Sequence, residues 1–306
     1  MTPLSTSFKL PRASLGNEDA LPVFPASQEN AWWWTRLMRG LRRLHARPDW
    51  NSFVRHDWPD HIMQMVLTDD FHAKQGRSTG KIVLRAGAES LSVYLKRHYE
   101  LPRWMGLLAA FWPNGEWSPA LRECRNLQWA LSEGIPVPKV VAAGEFIGSW
   151  GHLQSFLAIE ELREMVPLHE AIPMAFRTLQ STTFRAWKAG LIREIARLTR
   201  LLHDRNRFHK DLYLCHFFIA RADITHIPTW VNRVYMIDFH RLTHHPVTRS
   251  FWVSKDLGQL LYSSEIEGID ARDRLLFWRA YMGASRKTWR GRWLRRVVAF
   301  RGRRYT

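Results

Sequence analysis

The sequence predicts an α+β protein with two lobes, a small strand-rich lobe followed by a mainly helical one. Up to about residue 160, short segments such as Ser92–Lys96 alternate apolar and polar side chains, as half-buried strands do. Beyond that point, apolar residues recur at intervals of three and four, as in Leu191–His203, which is typical of amphipathic helices. With 306 residues, of which 46% are hydrophobic, the chain can bury a sizeable core.

Four parts are predicted along the chain. Residues 1–28 carry scattered Pro, Ser and Gly and are expected to form a flexible leader. Residues 29–60 are expected to form a basic helical segment rich in Trp and Arg. Residues 61–160 then form the small lobe, and residues 161–306 form the helical lobe with a basic C-terminal tail.

Two basic segments interleave arginine with tryptophan. The segment Trp32–Leu44 does so at helical spacing, which suits either a helix in a membrane interface or an aromatic face packed on the small lobe. The run 286–304 contains no acidic residue and suits an anionic membrane surface, single-stranded nucleic acid, or a solvated tail. A formal net charge of +17 calls for an acidic partner in any case.

No apolar run approaches the roughly 20 residues that span a bilayer, and the first residues lack the apolar centre of a secretory signal. We therefore expect a cytoplasmic protein that is peripheral on the inner face of the cytoplasmic membrane. The two cysteines, Cys124 and Cys215, are expected to be reduced thiols and lack the spacing of a zinc site.

The segment His209–His216 carries the strongest indication of chemistry, together with Asp238 at the end of the apolar run Val234–Ile237. Asp211 is placed in a loop where it can orient a hydroxyl, and Asp238 at a strand end where it can hold Mg²⁺. Phosphoryl transfer needs this division of labour. A lone His-x-Asp is common, and Asp238 can simply cap a turn, but both in this order and spacing predict a kinase.

Three further residues surround the predicted catalytic aspartate. His209 is expected to brace its loop, and Lys210 occupies the position before it. His216 stands where a protein kinase has a metal-binding asparagine. An imidazole can coordinate a metal or bond to a phosphate, but Mg²⁺ prefers oxygen ligands, so both roles of His216 stay open.

The strand ending in Lys96 is expected to supply the lysine that contacts nucleotide phosphates. Glu123, on an amphipathic helix over residues 121–131, is the predicted ion-pair partner of this lysine, although a surface acid is the simpler alternative. Gly76 and Gly80 flank a possible turn over the phosphates, but two glycines alone do not identify such a loop.

These segments together resemble the lipopolysaccharide kinase family, which includes core heptose kinases and Kdo kinases. The resemblance covers roughly residues 75 to 265, and the Asp-x-Tyr-x-Cys-His signature at 211–216 is its most specific part. The segments that carry it are Leu95–His98, Arg122–Glu123, Asn126–Leu127, Gly134–Pro138, Gly144–Glu145, Ser155–Leu162, Phe208–Phe217, Ile237–Arg241 and Lys255–Leu257.

The resemblance implies a protein-kinase-like fold and ATP-dependent phosphorylation of a sugar hydroxyl on an anionic glycolipid, with ATP and Mg²⁺ as cofactors and no nucleic acid partner. It implies these residue roles: Lys96 on the nucleotide phosphates, Glu123 as its partner, Asp211 as catalytic base, Asp238 as magnesium ligand, Asp256 as the buried brace of the catalytic loop, and Glu160, Glu161 and Leu162 as the linker that meets the adenine.

The sequence departs from the usual kinase pattern at two places. Lys210 replaces an arginine, which removes a bidentate donor, and His240 replaces a glycine after Asp238, which removes a flexible backbone point. Regulation by loop movement is therefore in question more than catalysis is. Arg241 and Arg249 follow Asp238 and are expected to clamp an acidic group of the acceptor.

Two alternatives remain open from the sequence. The chain can be a kinase of another acceptor, a protein or a soluble metabolite. It can also be a catalytically degenerate kinase fold that serves as a basic module for binding membrane or nucleic acid. The presence of Lys96, Glu123, Asp211 and Asp238 argues against degeneration, since a binding module needs none of them.

Overall fold

The computed structural model describes residues 23–24, 32–66, 69–74, 76–113 and 115–304, with only the backbone described at 23–24 and 69–74. Apart from residues 23 and 24, the predicted leader over residues 1–28 lies outside the described residues. The small lobe contains a seven-stranded antiparallel sheet in the order β1-β2-β6-β7-β5-β4-β3. Its strands are β1 Val23–Phe24, β2 Leu41–Ala46, β3 Asp69–Lys74, β4 Arg77–Ala86, β5 Glu89–His98, β6 Val140–Ile147 and β7 Leu153–Glu160.

In the part of the chain that the structure describes, five helices accompany this sheet: α1 Trp33–Arg39, α2 Trp50–Phe53, α3 Trp58–His61, α4 Arg103–Phe111 and α5 Pro119–Ser132. Helix α5 begins where the Ser118 hydroxyl accepts a hydrogen bond from the Leu121 amide, with Pro119 in the first turn. Its apolar stripe, including Leu127, is buried in the core. The strand over Ser92–Lys96 and the helix over 121–131 are thus confirmed, as β5 and α5.

The helix predicted over Trp32–Leu44 is wrong beyond Arg39. The chain leaves the helix at Gly40, whose φ of +80° favours glycine. A Cβ at this position would also lie 2.3 Å from the carbonyl oxygen of Ile147. The next residues form β2, which pairs with β1 and β6, so backbone pairing inside the sheet outweighs the helical spacing of the side chains.

The large lobe is mainly helical. Its helices are α6 Leu168–Thr178, α7 Ser181–Asp204, α8 Arg249–Ser263, α9 Ala271–Met282 and α10 Trp289–Gly302. Its short strands are β8 Met165–Pro167, β9 Arg207–Phe208, β10 Phe217–Ala220, β11 Tyr235–Met236 and β12 Thr243–His244. The predicted helix Leu191–His203 is confirmed as part of α7. Strands β10 and β11, on either side of residues 221–233, pair antiparallel.

The basic run 286–304, expected as a tail, is largely helix α10. This helix packs on α8, where Gly302 approaches Leu261 and Val298 is buried. The sequence pattern missed this contact because only a small part of the helix is apolar and covered. Within the described ranges, no helix is long and apolar enough to cross a bilayer.

One apolar core extends across both lobes. It joins Leu157 of β7 and Leu127 of α5 to Leu168 of α6 and to Leu198 and Leu202 of α7. Because the same packed layer reaches both lobes, side chains from the sheet and from the large lobe hold fixed positions where the lobes meet.

Candidate active site

Lys96, Glu123 and Asp238 come together where the lobes meet. On β5, Leu95 and Val93 point into the core, so Lys96 emerges on the opposite face. Its ammonium nitrogen lies 2.7 Å from Glu123 Oε1 and 3.9 Å from Asp238 Oδ1. Glu123 is only 3% exposed, so this buried carboxylate has a partner that offsets its desolvation. The arrangement leaves a fixed positive charge beside the Asp238 carboxylate.

Asp238 follows β11 and adopts a left-handed conformation with φ of +66°. Its carboxylate contacts His240 Nδ1 and lies 3.8 Å from His216 Nε2. Burial opposes ionisation of Asp238, but the bond from His240 and the charges of Lys96 and His216 outweigh it, so its pKa lies well below the usual range. The left-handed residue here is Asp238, so His240 does not occupy a position that requires glycine.

Asp211 lies in the loop after β9, and its carboxylate forms a two-oxygen ion pair with Arg241, at 3.0 and 2.8 Å. Its backbone carbonyl accepts a bond of 2.7 Å from His216 Nδ1. Since a carbonyl only accepts, Nδ1 carries the proton, and His216 Nε2 faces Asp238. The ring of His216 therefore bridges the loop of Asp211 and the segment of Asp238.

Helix α8 holds the loop that carries Asp211 through hydrogen bonds to the loop backbone. The Asp256 carboxylate is fully buried and accepts hydrogen bonds from the backbone amides of His209, at 2.9 Å, and Lys210, at 2.8 Å. His203 Nε2 donates to the same carboxylate at 3.2 Å. One turn further along α8, Gln259 Oε1 accepts from the Leu212 amide. These bonds hold the loop backbone on both sides of Asp211.

His209 and Lys210 point in different directions from this loop. His209 is buried, which lowers its pKa, and its Nε2 donates to the carbonyl of Ile237 at 3.0 Å. It thereby joins the loop to the residue before Asp238. Lys210 has φ of +68°, and its ammonium lies 4.2 Å from the centre of the Trp252 ring. Burial, Lys255 and Arg241 lower the pKa of Lys210.

The two predicted glycines occupy different positions. Gly76 has φ of +74° and lies immediately before the first residue of β4. Gly80 lies inside β4 and pairs with Asp70 and Leu95, so its prediction as a turn residue is wrong. The turn is shorter than the sequence suggested because pairing between the two strands begins at Lys74 and Arg77.

The predicted linker leaves the end of β7. The Glu161 amide donates to the carbonyl of Ser92 at 2.9 Å, and Leu162 follows without regular structure. Both acidic side chains form ion pairs within the small lobe, Glu160 with Arg47 and Glu161 with Lys81. Their carboxylates are thus occupied, and the backbone is the part of the linker that remains for an adenine.

The structure does not bring Arg249 into this site. Its guanidinium donates to the carbonyl of His203 at 3.2 Å and lies 3.4 Å from Asp204, so it ties the start of α8 to the end of α7. Arg241 and Arg249 therefore differ, since only Arg241 contacts Asp211.

Sequence reasoning missed two residues that order this site. Asn126 Nδ2 donates to the carbonyls of Phe239 and Leu242, each at 3.0 Å, and so joins α5 to the segment after Asp238. Asn126 lies three residues after Glu123, and this spacing on one helix face was an available signal. His240 was noted only as a replaced glycine, although its ring contacts the Asp238 carboxylate.

The donor set at Asp238 fits a magnesium ion that takes most of its ligands from phosphate oxygens and water. Among the described residues, no group of three or more His, Cys, Asp or Glu side chains could hold a metal by itself. A single carboxylate facing a site for phosphates is a common way to hold Mg²⁺. His216 fits less well, because Mg²⁺ prefers oxygen ligands.

A strand lysine paired with a helix glutamate, a loop aspartate braced from the large lobe, and a second aspartate between the lobes define a protein-kinase-like fold. A solved structure described as "WaaP in complex with acyl carrier protein" has this fold, with a TM-score of 0.63 and 23% identity over 86% of this chain and 97% of that one. The predicted two-lobed α+β kinase-like fold is confirmed.

The chain belongs to the lipopolysaccharide kinase (Kdo/WaaP) family, whose model matches residues 72–281. It is 31% identical over 164 residues to the lipopolysaccharide core heptose(I) kinase WaaP of Pseudomonas aeruginosa, covering 53% of this chain and 59% of that kinase. It is also 31% identical over 100 residues to the enzyme of the same name from Escherichia coli K12, covering 31% of this chain and 36% of that enzyme. The chain thus spans less than two thirds of these relatives.

Proposed function

We propose that this protein is an ATP- and magnesium-dependent kinase that phosphorylates a sugar hydroxyl of the lipopolysaccharide core. The observation that carries the proposal is the meeting of Lys96, Glu123 and Asp238 within 4 Å, from three separate segments of the chain. A protein that only binds an anionic surface has no need for a buried glutamate that orients a lysine toward an aspartate. Membership of the lipopolysaccharide kinase family supports the choice of acceptor.

In this proposal, Lys96 would bind the nucleotide phosphates and Asp238 would hold Mg²⁺, which would supply positive charge beside the transferred phosphoryl group. Asp211 orients the acceptor hydroxyl and takes its proton. The hydroxyl oxygen forms a bond to the γ-phosphorus while the bond from that phosphorus to ADP breaks. His216, whose Nε2 faces Asp238, is assigned to a phosphate oxygen. The backbone of Glu160, Glu161 and Leu162 contacts the adenine, and the turn at Gly76 covers the phosphates.

Cationic side chains next to Asp211 support an anionic acceptor. Arg241 pairs with Asp211 here and can exchange this carboxylate for an acidic group of the acceptor. Lys210 and Lys255 both face the ring of Trp252, at 4.2 and 5.5 Å, and neither forms an ion pair within the described residues. Two ammonium groups on one ring favour a bound anion there, because an anion relieves their mutual repulsion.

An apolar cavity in the large lobe supports a second partner. The cavity has a volume of about 400 Å³ and is lined by side chains from α6 to α10, among them Ile195, Leu257 and Ala299. Such a lining accepts a fatty acyl chain, so we assign to this chain the partner named for the similar structure, an acyl carrier protein. Ala299→Trp should fill the cavity and remove co-purified acyl carrier protein in native mass spectrometry, whereas Ala284→Trp should retain it. Retention by both variants would refute this assignment.

The acceptor lies in a membrane, so the enzyme is assigned to the cytoplasmic face of that membrane, as a peripheral protein. The test of the kinase is transfer of label from γ-labelled ATP to chemically dephosphorylated lipopolysaccharide, with and without Mg²⁺. Asp211→Asn should lower the rate of phosphoryl transfer by roughly a thousandfold. Asp238→Asn should abolish the transfer that depends on Mg²⁺. Asp204→Asn, an exposed acid at the end of α7, is the matched control and should be active.

The outcomes separate the alternatives. If label appears on a protein or a soluble metabolite and none on the glycolipid, the protein is a kinase but the proposed acceptor is wrong. The absence of both transfer and magnesium-dependent nucleotide binding would refute the kinase and favour a basic binding module.

A further inference from the structure

Seven large apolar side chains of the small lobe are exposed on three neighbouring segments. We call them the tryptophan patch, and their exposed fractions lie between 40 and 67%. They lie on or beside α1, α4 and the short turn at Ser149–Gly151, and they are Trp32, Trp34, Met38, Trp104, Phe111, Trp112 and Trp150. Monomeric soluble proteins rarely keep so many large apolar side chains in one place on their surface.

The three segments are packed together and present a preformed surface. Trp33 stacks on Phe111 with ring centres 5.2 Å apart, and Trp34 meets Trp150 edge to face at 6.2 Å. At Gly106, a Cβ would lie 2.1 Å from the carbonyl oxygen of Gly151, so α4 lies directly on the turn. Beneath them, Leu37, Leu41, Ala109, Ala110, Ile147 and Leu153 form a buried apolar cluster.

The patch carries positive charge and no negative charge. Residues 32–43, 103–112 and 149–152 contain no Asp or Glu. Arg39, Arg42 and Arg103 are exposed within these segments. Arg42 pairs with Asp60, whereas Arg39 and Arg103 form no ion pair in the part of the chain that the structure describes. Large aromatic side chains next to unpaired arginines match the region of lipid headgroups, where indole rings sit at the interface and arginines meet phosphates.

We infer that the tryptophan patch docks the small lobe on the surface of an anionic lipid bilayer. A second copy of the chain fits less well, because a two-fold contact through this patch would bring its arginines together. A nucleic acid also fits less well, because such binding rests on many phosphate contacts, and the patch has seven apolar side chains for two exposed arginines without an ion pair. The inference deepens the proposed function, since it names the surface that brings the enzyme to a membrane-bound acceptor.

Helix α10 is the competing surface for this role. Trp289, Trp293 and Phe300 are also exposed there, among many arginines. A bilayer contact through α10 would make the tryptophan patch unnecessary. The two surfaces can be separated, because each bears exposed tryptophans that can be replaced without touching the core.

The experiment measures binding of the full chain to vesicles of phosphatidylcholine and phosphatidylglycerol at 3:1, by co-sedimentation. The triple variant Trp34→Ser, Trp104→Ser, Trp112→Ser should bind at least about tenfold more weakly than the wild type. The control Trp289→Ser, Trp293→Ser should lose less than about threefold. Thermal unfolding checks that each variant is folded, and the single variant Trp104→Ser, which should show a smaller loss, replaces the triple variant if needed.

The inference would be overturned if the patch variant bound vesicles as tightly as the wild type. It would also be overturned if only the α10 variant lost vesicle binding completely. A wild-type chain that binds single-stranded RNA but not the vesicles, or a patch variant that only converts a dimer to a monomer, would overturn it as well. Transfer assays separate this result from the kinase proposal. The patch variant should still phosphorylate deacylated core oligosaccharide in solution while losing transfer to lipopolysaccharide in vesicles. A wild type that binds vesicles but phosphorylates neither acceptor would refute the kinase alone.

Discussion

Replacing Asp256 tests whether the catalytic loop is held by helix α8. The fully buried carboxylate accepts two backbone hydrogen bonds, from His209 and Lys210, and a third from His203 Nε2. Leaving a buried donor without its acceptor costs about 1–3 kcal/mol. Asp256→Ala strands both backbone donors, so we expect it to lower the free energy of unfolding by about 4 kcal/mol.

Asp256→Asn keeps the shape and one acceptor oxygen, so about half of that loss is expected. The amide must still turn one N–H group toward a backbone donor, which displaces the loop next to Asp211. A displacement of about 1 Å at a catalytic group lowers a rate by roughly 100-fold. The phosphoryl-transfer rate of Asp256→Asn should fall by that factor while the protein remains folded.

The assay is denaturant unfolding followed by tryptophan fluorescence, together with label transfer from ATP. The matched control is Asp204→Ala, an acid whose side chain is 55% exposed and which pairs with two arginines at the surface. Asp204→Ala should lower the free energy of unfolding by less than about 1 kcal/mol. A loss below about 1 kcal/mol for Asp256→Ala, or an unchanged transfer rate for Asp256→Asn, would refute the proposed bracing.

Three further predictions concern other parts of the molecule. Glu123→Gln removes the charge that orients Lys96 and should lower transfer by roughly 100-fold with little change in unfolding; an unchanged rate would remove Glu123 from the site. Burial, followed by the charges of Arg77, Lys96 and His240, lowers the pKa of His98 to about 4. As the pH falls from about 6.5, only the unfolded chain therefore takes up a proton at this residue. The free energy of unfolding should consequently fall by about 3 kcal/mol by pH 4. His98→Gln should flatten this dependence in unfolding experiments, and an equally steep dependence would contradict it. Gly40→Ala should destabilise the protein by about 3 kcal/mol, and Gly87→Ala by about 1 kcal/mol. Both glycines have positive φ, but only a Cβ at Gly40 would meet a backbone oxygen within 4 Å. Equal losses of stability would contradict this steric explanation.

Local pattern in the sequence was enough for the elements that carry the site. Alternation identified β5, and helical spacing identified α5 and most of α7, because each of these buries one continuous apolar face. The order of the chemical groups was also readable, since Asp211 and Asp238 keep a kinase-like spacing along the chain. Both the secondary structure of these elements and the order of their chemical groups depend mainly on residues that are close in sequence.

Contacts between distant segments were decided only by the tertiary structure. Spacing suggested one helix over Trp32–Leu44, but Gly40 and pairing with β6 turn its second half into a strand. The bonds of Asn126 to the segment after Asp238 join residues more than 100 positions apart, and no local pattern encodes them. The tryptophan patch likewise combines three segments that are separate in the chain. The sequence by itself determined the elements that bury one continuous apolar face and the chemical groups that they bear, because these follow from neighbouring residues. The tertiary structure decided which of these groups meet, because that depends on how segments distant in the sequence pack against one another.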